Sequence, residues 1–540
     1  MINVIILDGQ NKMAVRRYGL GDWLSIKNFN FVTSLSESQN FVFFGTTGGI
    51  LSYNKDQFFE EPAYTVSDGL ADDHITALYW DHSTSFLWAA HRKGVSFLSP
   101  SDDSFQNVYF FENGQGLVRQ IGSNGENIWL RFHSGDVLKL NSQSGNKEWI
   151  AESDNQENIN WSLSKNNEPV ELVGIYDINP GYVIYDNGKV MDHEFREYYL
   201  NFIYVDNRRD IYGGIYGLGY VTGSENIKKI NFHHSGILKT YVNALAIGER
   251  FMWTGSIDNE KQNELDKTGI SEFDFKEQTW KYYEDYDIHE LATGCVFDLV
   301  ISENQLFAGT CEGLSIYDLK KNKWKRISIF DGLYDNEVKT ISVSDTIALV
   351  GTDFGLNEIN LKDYNVFRLP LTKMKRLLRI NKILKWENYF WIGTNNGIYS
   401  IDITDRSILH YDDFGKNINL DKNIAMECVS IASYGDKVVF KGNNHFMRYH
   451  GSTKKWENLP NYDFDATVFD MDMDGDFLWI GTNEGAKLLN VQTGEWEKYS
   501  HVDGLAGDIV MKVVIDGDWV WFGTNKGLTK YNWRKYVFEK

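Results

Sequence analysis

Short runs of alternating apolar and polar residues recur along the chain, separated by turns rich in glycine and aspartate. Ile75–Tyr79 and Val510–Ile515 are two such runs, and this pattern predicts half-buried β-strands. The strand that follows carries Trp or Phe and ends in Gly-Thr, as in residues 478–485 (LWIGTNEG) and 520–527 (VWFGTNKG). A third strand, such as Leu528–Asn532, and a fourth with a Trp near its start complete a predicted unit of four strands.

The glycine of Gly-Thr shows how often this unit repeats. Equivalent positions fall at Gly45, Ala90, Arg131, Ile184, Gly213, Gly255, Gly309, Gly351, Gly393, Lys441, Gly481 and Gly523. Most of them lie roughly 40–50 residues apart, which is the period of a propeller blade, although Ile184 breaks the spacing. The predicted fold class is therefore all-β, with tandem β-propellers built from about 12–14 four-stranded antiparallel blades.

The repeat count also predicts how the chain divides. Propellers typically have about 4–8 blades, so the repeats predict a first propeller over residues 30–290 and a second over 291–540, with the boundary near 285–295. Residues 1–29 are predicted to supply terminal strands that complete a blade, which would remove open sheet edges. The insertion Ser256–Thr268 is predicted to be an exposed loop, because its composition is almost entirely polar.

The repeat resembles a known family. Asp-Gly-Leu loops at 68–70, 331–333 and 503–505, an apolar strand and Leu-Trp-Ile-Gly-Thr-Asn-x-Gly are similar to the two-component regulator propeller repeat. That repeat builds the periplasmic sensor regions of bacterial hybrid two-component systems and PorZ-like components of the type IX secretion system. The resemblance implies an exported protein, periplasmic or extracellular, with two propellers in tandem that bind a ligand. The kinase and DNA-binding regions of the sensors are missing from the sequence.

Charge limits the partners. The formal net charge is −21, which disfavours nucleic acid and anionic lipid as partners. No apolar run has the length of a membrane span, and Met1–Gln10 does not read as a secretory signal. The expected ligand is a glycan or a protein, with neither nucleic acid nor membrane insertion involved.

The chain has three cysteines, Cys295, Cys311 and Cys428. An odd and sparse set indicates neither a disulfide framework nor a zinc site. All three are predicted to be small buried side chains, and no cofactor or metal is predicted.

Departures from the repeat consensus mark a candidate ligand site, because consensus residues are already explained by packing. His91 and Arg92 replace the Thr-Asn of other turns, and Arg131 and His133 stand in the corresponding segment of the next blade. Neighbouring cationic turns can hold a carboxylate or phosphate, so these four residues are the predicted ligand-binding site. Solvated variable turns are the alternative interpretation.

Three further motifs have structural alternatives. Asp470–Asp476 matches the first half of an EF-hand loop, but Gly481 stands where a bidentate Glu is needed, so a strand and turn are favoured. The basic cluster over 368–385 either docks an acidic partner or the other propeller, or is a solvated outer strand or loop. The pair His233–His234 has no companion ligand at metal-binding spacing.

No nucleophile elbow, HExxH, P-loop or Rossmann glycine pattern occurs. The sequence therefore predicts a non-catalytic module for ligand or protein binding, sensor-like or scaffolding, in a bacterial envelope or extracellular system. One alternative is a propeller-type lyase or glycan-processing enzyme with a dispersed His/Glu/Arg site in the channel mouth. Another is a purely structural part of a surface assembly.

Overall fold

A computed structural model gives the fold of most of the chain. It describes residues 5–7, 13–15, 18, 21–99, 101–102, 104–109, 116–150, 158–163, 176–185, 187–258, 265, 267–291, 293–371, 378–411, 427–442, 445–459 and 466–537. At 5–7, 13–15 and 147–150 only the backbone is described.

The chain divides into two compact units. The first comprises Met1–Ile237 with Gln262–Asp266, and the second comprises Leu238–Lys261 with Lys267–Lys540. The division follows residue 237, so the boundary expected near 285–295, and with it the ranges 30–290 and 291–540, are corrected. The reason is packing, because Trp253 shares a buried apolar cluster with Val296 and Leu306 of the second unit.

The first unit consists of short strands. They are β1 (Ile5–Leu7), β2 (Met13–Val15), β3 (Trp23–Ile26), β4 (Val32–Glu37), β5 (Phe41–Thr46), β6 (Ile50–Asn54), β7 (Phe59–Tyr64), β8 (Ile75–Asp81), β9 (Phe86–His91), β10 (Gly94–Leu98), β11 (Gln106–Tyr109), β12 (Val118–Ser123), β13 (Asn127–Phe132), β14 (Val137–Asn141), β15 (Lys147–Ile150), β16 (Asn160–Trp161), β17 (Asp177–Ile178), β18 (Tyr182–Ile184), β19 (Lys189–Asp192), β20 (Glu197–Val205), β21 (Asp210–Ile215), β22 (Gly219–Ser224) and β23 (Lys229–His233). A 3-10 turn, η1 (Val66–Asp68), follows β7.

Four larger sheets are described in this unit. Strands β4–β7 and β8–β11 are antiparallel meanders, β12–β15 form a third with β16 beside β12, and β17–β23 form the fourth. Strand β4 contacts β8, β8 contacts β12, and β21 contacts β4. The sheets therefore follow one another side by side, as the blades of a propeller do.

The second unit repeats one meander. Its strands are β24 (Ala244–Ile247), β25 (Phe251–Gly255), β26 (Gly269–Asp274), β27 (Thr279–Glu284), β28 (Val296–Ser302), β29 (Gln305–Thr310), β30 (Gly313–Asp318), β31 (Lys323–Ile327), β32 (Thr340–Val343), β33 (Ile347–Thr352), β34 (Gly355–Asn360), β35 (Val366–Leu369), β36 (Ile380–Trp386), β37 (Tyr389–Thr394), β38 (Gly397–Asp402), β39 (Ile408–Tyr411), β40 (Cys428–Tyr434), β41 (Lys437–Gly442), β42 (Phe446–His450), β43 (Lys455–Asn458), β44 (Val468–Asp474), β45 (Phe477–Thr482), β46 (Gly485–Asn490), β47 (Trp496–Tyr499), β48 (Val510–Asp516), β49 (Trp519–Thr524) and β50 (Gly527–Tyr531). Outside the strands are the 3-10 turn η2 (Ile329–Asp331) and the helix α1 (Arg534–Val537).

The seven sheets of the second unit close a ring. The first strands β24, β28, β32, β36, β40, β44 and β48 contact one another in that order, and β48 contacts β24. One backbone hydrogen bond recurs between neighbouring sheets: Val338 N donates to Thr310 O at 3.0 Å, and Val242 N donates to Thr524 O at 2.9 Å. The second of these joins the last sheet to the first. The prediction of tandem β-propellers is thereby confirmed.

The Gly-Thr turn explains why the sequence repeats. Thr310 Oγ1 donates to Gly313 O at 2.9 Å and accepts from Glu312 N at 3.1 Å. Gly313 has φ 125°, and a Cβ there would lie 2.3 Å from Ile327 O, so only glycine fits. Thr352 and Thr482 form the same turn in later sheets. The motif therefore fixes a tight turn between the second and third strands.

The cysteines differ from the sequence-based expectation. Cys295 and Cys311 form a disulfide, with their Cα atoms 5.7 Å apart. Val296 pairs with Thr310 in the β28–β29 ladder, so the two cysteines are the next residues in the same register. Cys428 is free and buried, as predicted. The disulfide ties the start of a first strand to a Gly-Thr turn.

The insertion Ser256–Thr268 lies mostly outside the described residues, so its predicted exposure is not settled for residues 259–264 and 266. Its end residues Ser256 and Thr268 are buried. Leu265, which clusters with the first unit, packs on Gly217: a Cβ added there would lie 3.0 Å from Leu265 Cδ1. Part of the segment therefore packs on a core, with Leu265 partly buried.

The closure of a blade by residues 1–29 remains a prediction. Lys27 is buried and pairs with Asp73, and its carbonyl accepts from Ile237 N at 3.0 Å. Removing residues 1–29 is expected to lower the unfolding temperature and to promote association, because it uncovers these groups and a sheet edge. Calorimetry with light scattering tests this; a truncated chain that stays monomeric and melts like the full chain contradicts it.

A carboxyl group in the first unit gives the stability a pH dependence. Glu60 accepts from Ser235 Oγ at 2.7 Å. Burial raises its pKa from 4.5 to about 7, against the opposing hydrogen bonds from Ser235 and Tyr220. A raised carboxyl pKa means that the folded state binds the proton more tightly than the unfolded chain does. The stability contributed by neutral Glu60 is therefore full below pH 4.5 and is lost as the pH rises through about 7.

Replacing Glu60 by glutamine is expected to remove this decline, so the variant should exceed the wild type in stability at pH 8 and differ little at pH 4. Unfolding midpoints measured between pH 4 and pH 8 test the prediction. The matched control is Glu61→Gln on the same strand. Equal pH slopes in the wild type and the Glu60→Gln variant would contradict it.

Candidate binding face and channel of the second propeller

The topology places two kinds of connection at one end of the sheets. Strand direction alternates within each meander, so the turn after a second strand and the loop after a fourth strand lie at the same end. In the second unit this end carries turns 310–313, 352–355 and 482–485 and loops 328–339 and 500–509. We call it the loop face of the second unit.

Three loops in the chain share one hydrogen-bonded geometry. They run from Thr65 to Asp73, from Ser328 to Asn336 and from Ser500 to Asp508. In each, the first residue's N donates to the aspartate three residues on at 2.9 Å. The second residue's N donates to the Asp or Asn that ends the loop, at 2.7, 3.0 and 2.7 Å respectively. These fixed hydrogen bonds make the three loops equivalent, rigid platforms.

The three loops differ in the solvent exposure of their third residue. Ser67, the third residue of the first loop, is buried, whereas Phe330 and Val502 at the same position are 90% and 64% exposed. Ile329 beside Phe330 and Phe354 on the adjacent turn are also exposed, at 42% and 48%. An exposed phenylalanine on a rigid loop departs from the usual burial of such side chains.

The loop that carries Phe330 is held between a Gly-Thr turn and the third strand of the next sheet. Asn336 Nδ2 donates to Glu312 Oε2 at 3.3 Å on one side, and Tyr334 N donates to Asn357 Oδ1 at 2.9 Å on the other. Arg368 lies over the Tyr334 ring at 5.0 Å and donates to Leu333 O at 2.9 Å. The exposed residues Ile329, Phe330 and Phe354, here called the loop-face patch, therefore sit on a framework that is already ordered.

Charged side chains of the first strands meet across the ring. Lys512 Nζ lies 3.2 Å from Asp298 Oδ1 and 3.6 Å from Asp470 Oδ2. Lys382 Nζ lies 2.7 Å from Asp470 Oδ1. The carboxylates also accept backbone N–H groups of the neighbouring sheets, Asp298 from Ile341 at 3.0 Å and Asp470 from Val513 at 3.4 Å. The channel is thus crossed by alternating charges that link four sheets.

The pKa shifts follow from this pairing. Burial opposes ionisation of Asp470, but Lys382 and Lys512 hold its pKa below the usual value. Burial likewise opposes the charge on Lys512, yet Asp298 and Asp470 raise its pKa. Asp472 has no lysine at contact distance in the described part of the chain, and burial raises its pKa to about 6. Asp470 and Lys512 therefore act as fixed charges near neutral pH.

The predicted site residues fall into two environments. His91 is buried: its Nδ1 accepts from Lys93 N at 3.2 Å, and its Nε2 lies 2.8 Å from Ser96 Oγ. Burial lowers the pKa of His91 to about 4, so the ring is neutral. It takes the turn-forming role that Thr310 has elsewhere. Arg92 is exposed, with Nη2 3.0 Å from His74 Nδ1.

The other two predicted residues lie one sheet further along. Arg131 Nη1 donates to Gln120 Oε1 at 3.1 Å, and its guanidinium lies over the Trp161 ring at 4.0 Å. Burial and then Arg119 lower its pKa. His133 is exposed, with Nδ1 2.9 Å from Leu117 O. No contact among His91, Arg131 and His133 is found in the described part of the chain, and a shared ligand site remains a hypothesis.

The remaining motifs have structural partners. Asp470, Asp472 and Asp474 lie on strand β44, as the strand interpretation predicts. Within the basic cluster, residues 372–377 lie outside the described residues, and Lys382 belongs to the channel. His233 bonds to Thr222 Oγ1 at 2.7 Å, and burial lowers its pKa to about 4.

The channel charges were not among the sequence-based predictions, although the sequence carries a pattern that marks them. The first strands carry a polar residue directly opposite the glycine of Gly-Thr in several sheets, as in Asp298 opposite Gly309 and Lys512 opposite Gly523. Where the glycine itself is replaced, the new side chain enters the same register: Lys441 stands opposite Ser430. Burial lowers the pKa of Lys441 to about 8. A polar residue at a fixed place in an apolar strand therefore marks the channel.

No protein-family model matches the chain, and no curated protein matches it in sequence. Solved structures match in fold. PorZ, a bacterial surface component of the type-IX secretion system of Porphyromonas gingivalis, matches with a TM-score of 0.58 and 12% identity over 95% of this chain and 87% of that one. The extracellular domain assigned to the hybrid two-component system BT4673 of B. thetaiotaomicron matches with a TM-score of 0.44 and 12% identity over 93% and 70%.

Among the described residues no helix is long and apolar enough to cross a membrane. The match to PorZ spans nearly the full length of this chain, and the described sheets of the second unit close a ring. The chain thus has a tandem β-propeller fold and is similar in fold to PorZ, in agreement with the resemblance of its repeats to the two-component regulator propeller repeat.

Proposed function

We propose that this protein is a non-catalytic recognition module, sensor-like or scaffolding, of a bacterial envelope or extracellular system, and that it binds a glycan or protein ligand through the loop face of its second propeller. The observation that carries the proposal is the loop-face patch, with Phe330 90% exposed on a loop held by hydrogen bonds at both ends.

A rigid exposed aromatic is suited to recognition. Binding energy concentrates in a few aromatic anchors, and a loop that is already ordered loses little conformational entropy when it binds. Phe330 and Phe354 extend from such loops, and Arg368 donates a hydrogen bond to Leu333 O in the loop that carries Phe330. The patch therefore combines an apolar contact surface with low ordering cost.

The channel supports recognition over catalysis. Lys382, Asp470, Lys512 and Asp298 pair with one another, and both carboxylates bond to backbone N–H groups. Groups held this way stabilise the ring and are not free to transfer protons. His91 and His233 are buried and neutral, which gives them structural roles as well.

An exported location is supported by two features. Disulfides persist in oxidising compartments, and the Cys295–Cys311 disulfide ties the first strand of one sheet to its turn. The fold is also that of PorZ, which is described as a bacterial surface component.

A defined panel tests the proposal: a printed glycan array and a phage-displayed peptide library, each probed with the full chain. The test variant is Phe330→Ser with Phe354→Ser, and the matched control is Phe367→Ser, an exposed aromatic on outer strand β35. We expect binders whose signal falls at least tenfold with the test variant and is unchanged with the control. Binders that are insensitive to the test variant, or the absence of binders from both panels, would overturn the proposal.

A further inference from the structure

We propose that the loop Ser500–Asp508 of the second propeller docks an extended, lysine-bearing peptide segment of a partner protein. This inference rests on the proposed function and specifies its partner chemistry. The chain itself provides the pattern, because one of the three equivalent loops is covered by such a segment.

The covered loop, Thr65–Asp73, shows which side chains bind to this loop geometry. Ser25 Oγ lies 2.6 Å from Ser67 Oγ, and Lys27 pairs with Asp73. The other oxygen of Asp73 accepts a hydrogen bond from Val66 N at 2.7 Å. One carboxylate therefore both orders the loop and binds Lys27. Lys27 and Ser67 are both buried. Strand β3 therefore covers this loop with an extended segment whose serine and lysine are two residues apart.

The loop at Ser500 keeps the carboxylate of this receptor, while Val502 stands in place of the Ser67 hydroxyl. Asp508 Oδ1 accepts His501 N at 2.7 Å, as Asp73 does from Val66. The second oxygen of Asp508 lies 2.6 Å from His501 Nδ1, and both side chains are largely exposed. Val502 is 64% exposed where Ser67 is buried. The surface that β3 covers in the first unit is therefore open to solvent here, with its carboxylate in place.

The loop at Ser328 differs at this position. Asn336 replaces the aspartate, and its side-chain oxygen accepts Ile329 N at 3.0 Å. An amide orders the loop equally well but has no charge for a lysine. The lysine site is therefore specific to the Ser500 loop, while the Ser328 loop supplies the exposed Phe330.

Charge favours the same partner. The chain carries a net charge of −21, which attracts cationic segments and raises their association rate. Glu484 lies on the turn whose Gly485 N donates to Asp508 O at 2.6 Å, and its carboxylate is half-exposed beside Lys498. An incoming lysine therefore meets two carboxylates on adjacent turns.

A peptide with the sequence of residues 21–28, Gly-Asp-Trp-Leu-Ser-Ile-Lys-Asn, is the probe. Fluorescence anisotropy with the full chain is expected to show saturable binding that weakens at least tenfold with Asp508→Asn or when glutamate replaces the peptide's lysine. The amide keeps the loop's hydrogen bond from His501 N, so the variant folds. Asp363→Asn, at an exposed turn of the same unit, is the control and should leave binding unchanged.

Binding that is absent, or equal for the Asp508→Asn variant and the wild type, would overturn the proposal. Its failure is distinguishable from that of the proposed function. If panel binders require Phe330 and Phe354 while the peptide does not bind, recognition by the loop face stands and the lysine-bearing partner is rejected.

Discussion

Replacing Lys512 by methionine is expected to lower the unfolding free energy of the second propeller by about 3–5 kcal/mol, the usual effect of breaking a buried ion pair from one side. The midpoint measured by calorimetry should fall by about 5–15 °C. The reason is that Asp298 loses its only lysine among the described residues, and Asp470 keeps Lys382 alone. A buried carboxylate without its counter-charge is strongly unfavourable.

Two variants separate charge from packing. Lys526→Met on an exposed turn is the matched control and should leave the midpoint unchanged. Adding Asp298→Asn to Lys512→Met should recover part of the loss, because the amide oxygen still accepts Ile341 N without carrying a charge. A Lys512→Met midpoint equal to that of the Lys526→Met control would show that the channel charges do not hold the ring.

Reducing the Cys295–Cys311 disulfide is expected to lower the unfolding free energy of the second propeller by about 3 kcal/mol, which is the loop-closure value for a separation near 15 residues. The two cysteines are 16 residues apart in sequence. The unfolding midpoint should then fall by about 5–10 °C in TCEP. The mechanism is the freedom that the unfolded chain regains when the crosslink is broken.

The Cys295→Ala/Cys311→Ala variant provides the control, because TCEP should not change its midpoint. Thiol titration of the denatured wild type should find Cys428 alone before reduction and all three cysteines after it. All three cysteines titrating without reductant would contradict the disulfide.

Local structure could be predicted well from the sequence, because it depends on residues that are close along the chain. The Gly-Thr turn needs a hydroxyl at Thr310 and a left-handed Gly313, and both are visible as a motif. The boundary between the propellers could not be predicted, because strands of either ring have the same pattern. Packing assigns β24–β27 to the second unit, because Trp253 lies in one apolar cluster with Val296 and β24 contacts both β28 and β48.

In the candidate site too, local features could be predicted from the sequence and tertiary contacts could not. The Asp-Gly-Leu loops are apparent in the sequence, but the sequence does not show whether a distant segment covers them. Ser67 is buried and Phe330 is exposed, because a segment that contains Ser25 packs on Ser67. His91 departs from the consensus in sequence, yet its Nδ1 accepts the same turn N–H that the threonine hydroxyl accepts in other turns, here from Lys93. The disulfide was not predicted, because its cysteines are 16 residues apart in sequence. Only the hairpin register, in which Val296 pairs with Thr310, places them opposite each other.

Amide hydrogen exchange of the full chain, with and without the residue 21–28 peptide, tests most directly whether the loop face of the second propeller is a recognition surface. We expect slower exchange over residues 500–509 and the adjacent turn 482–485 when the peptide is present, with the outer strands unchanged. Exchange that is unchanged at 500–509, or slowed only within the first unit, would contradict it.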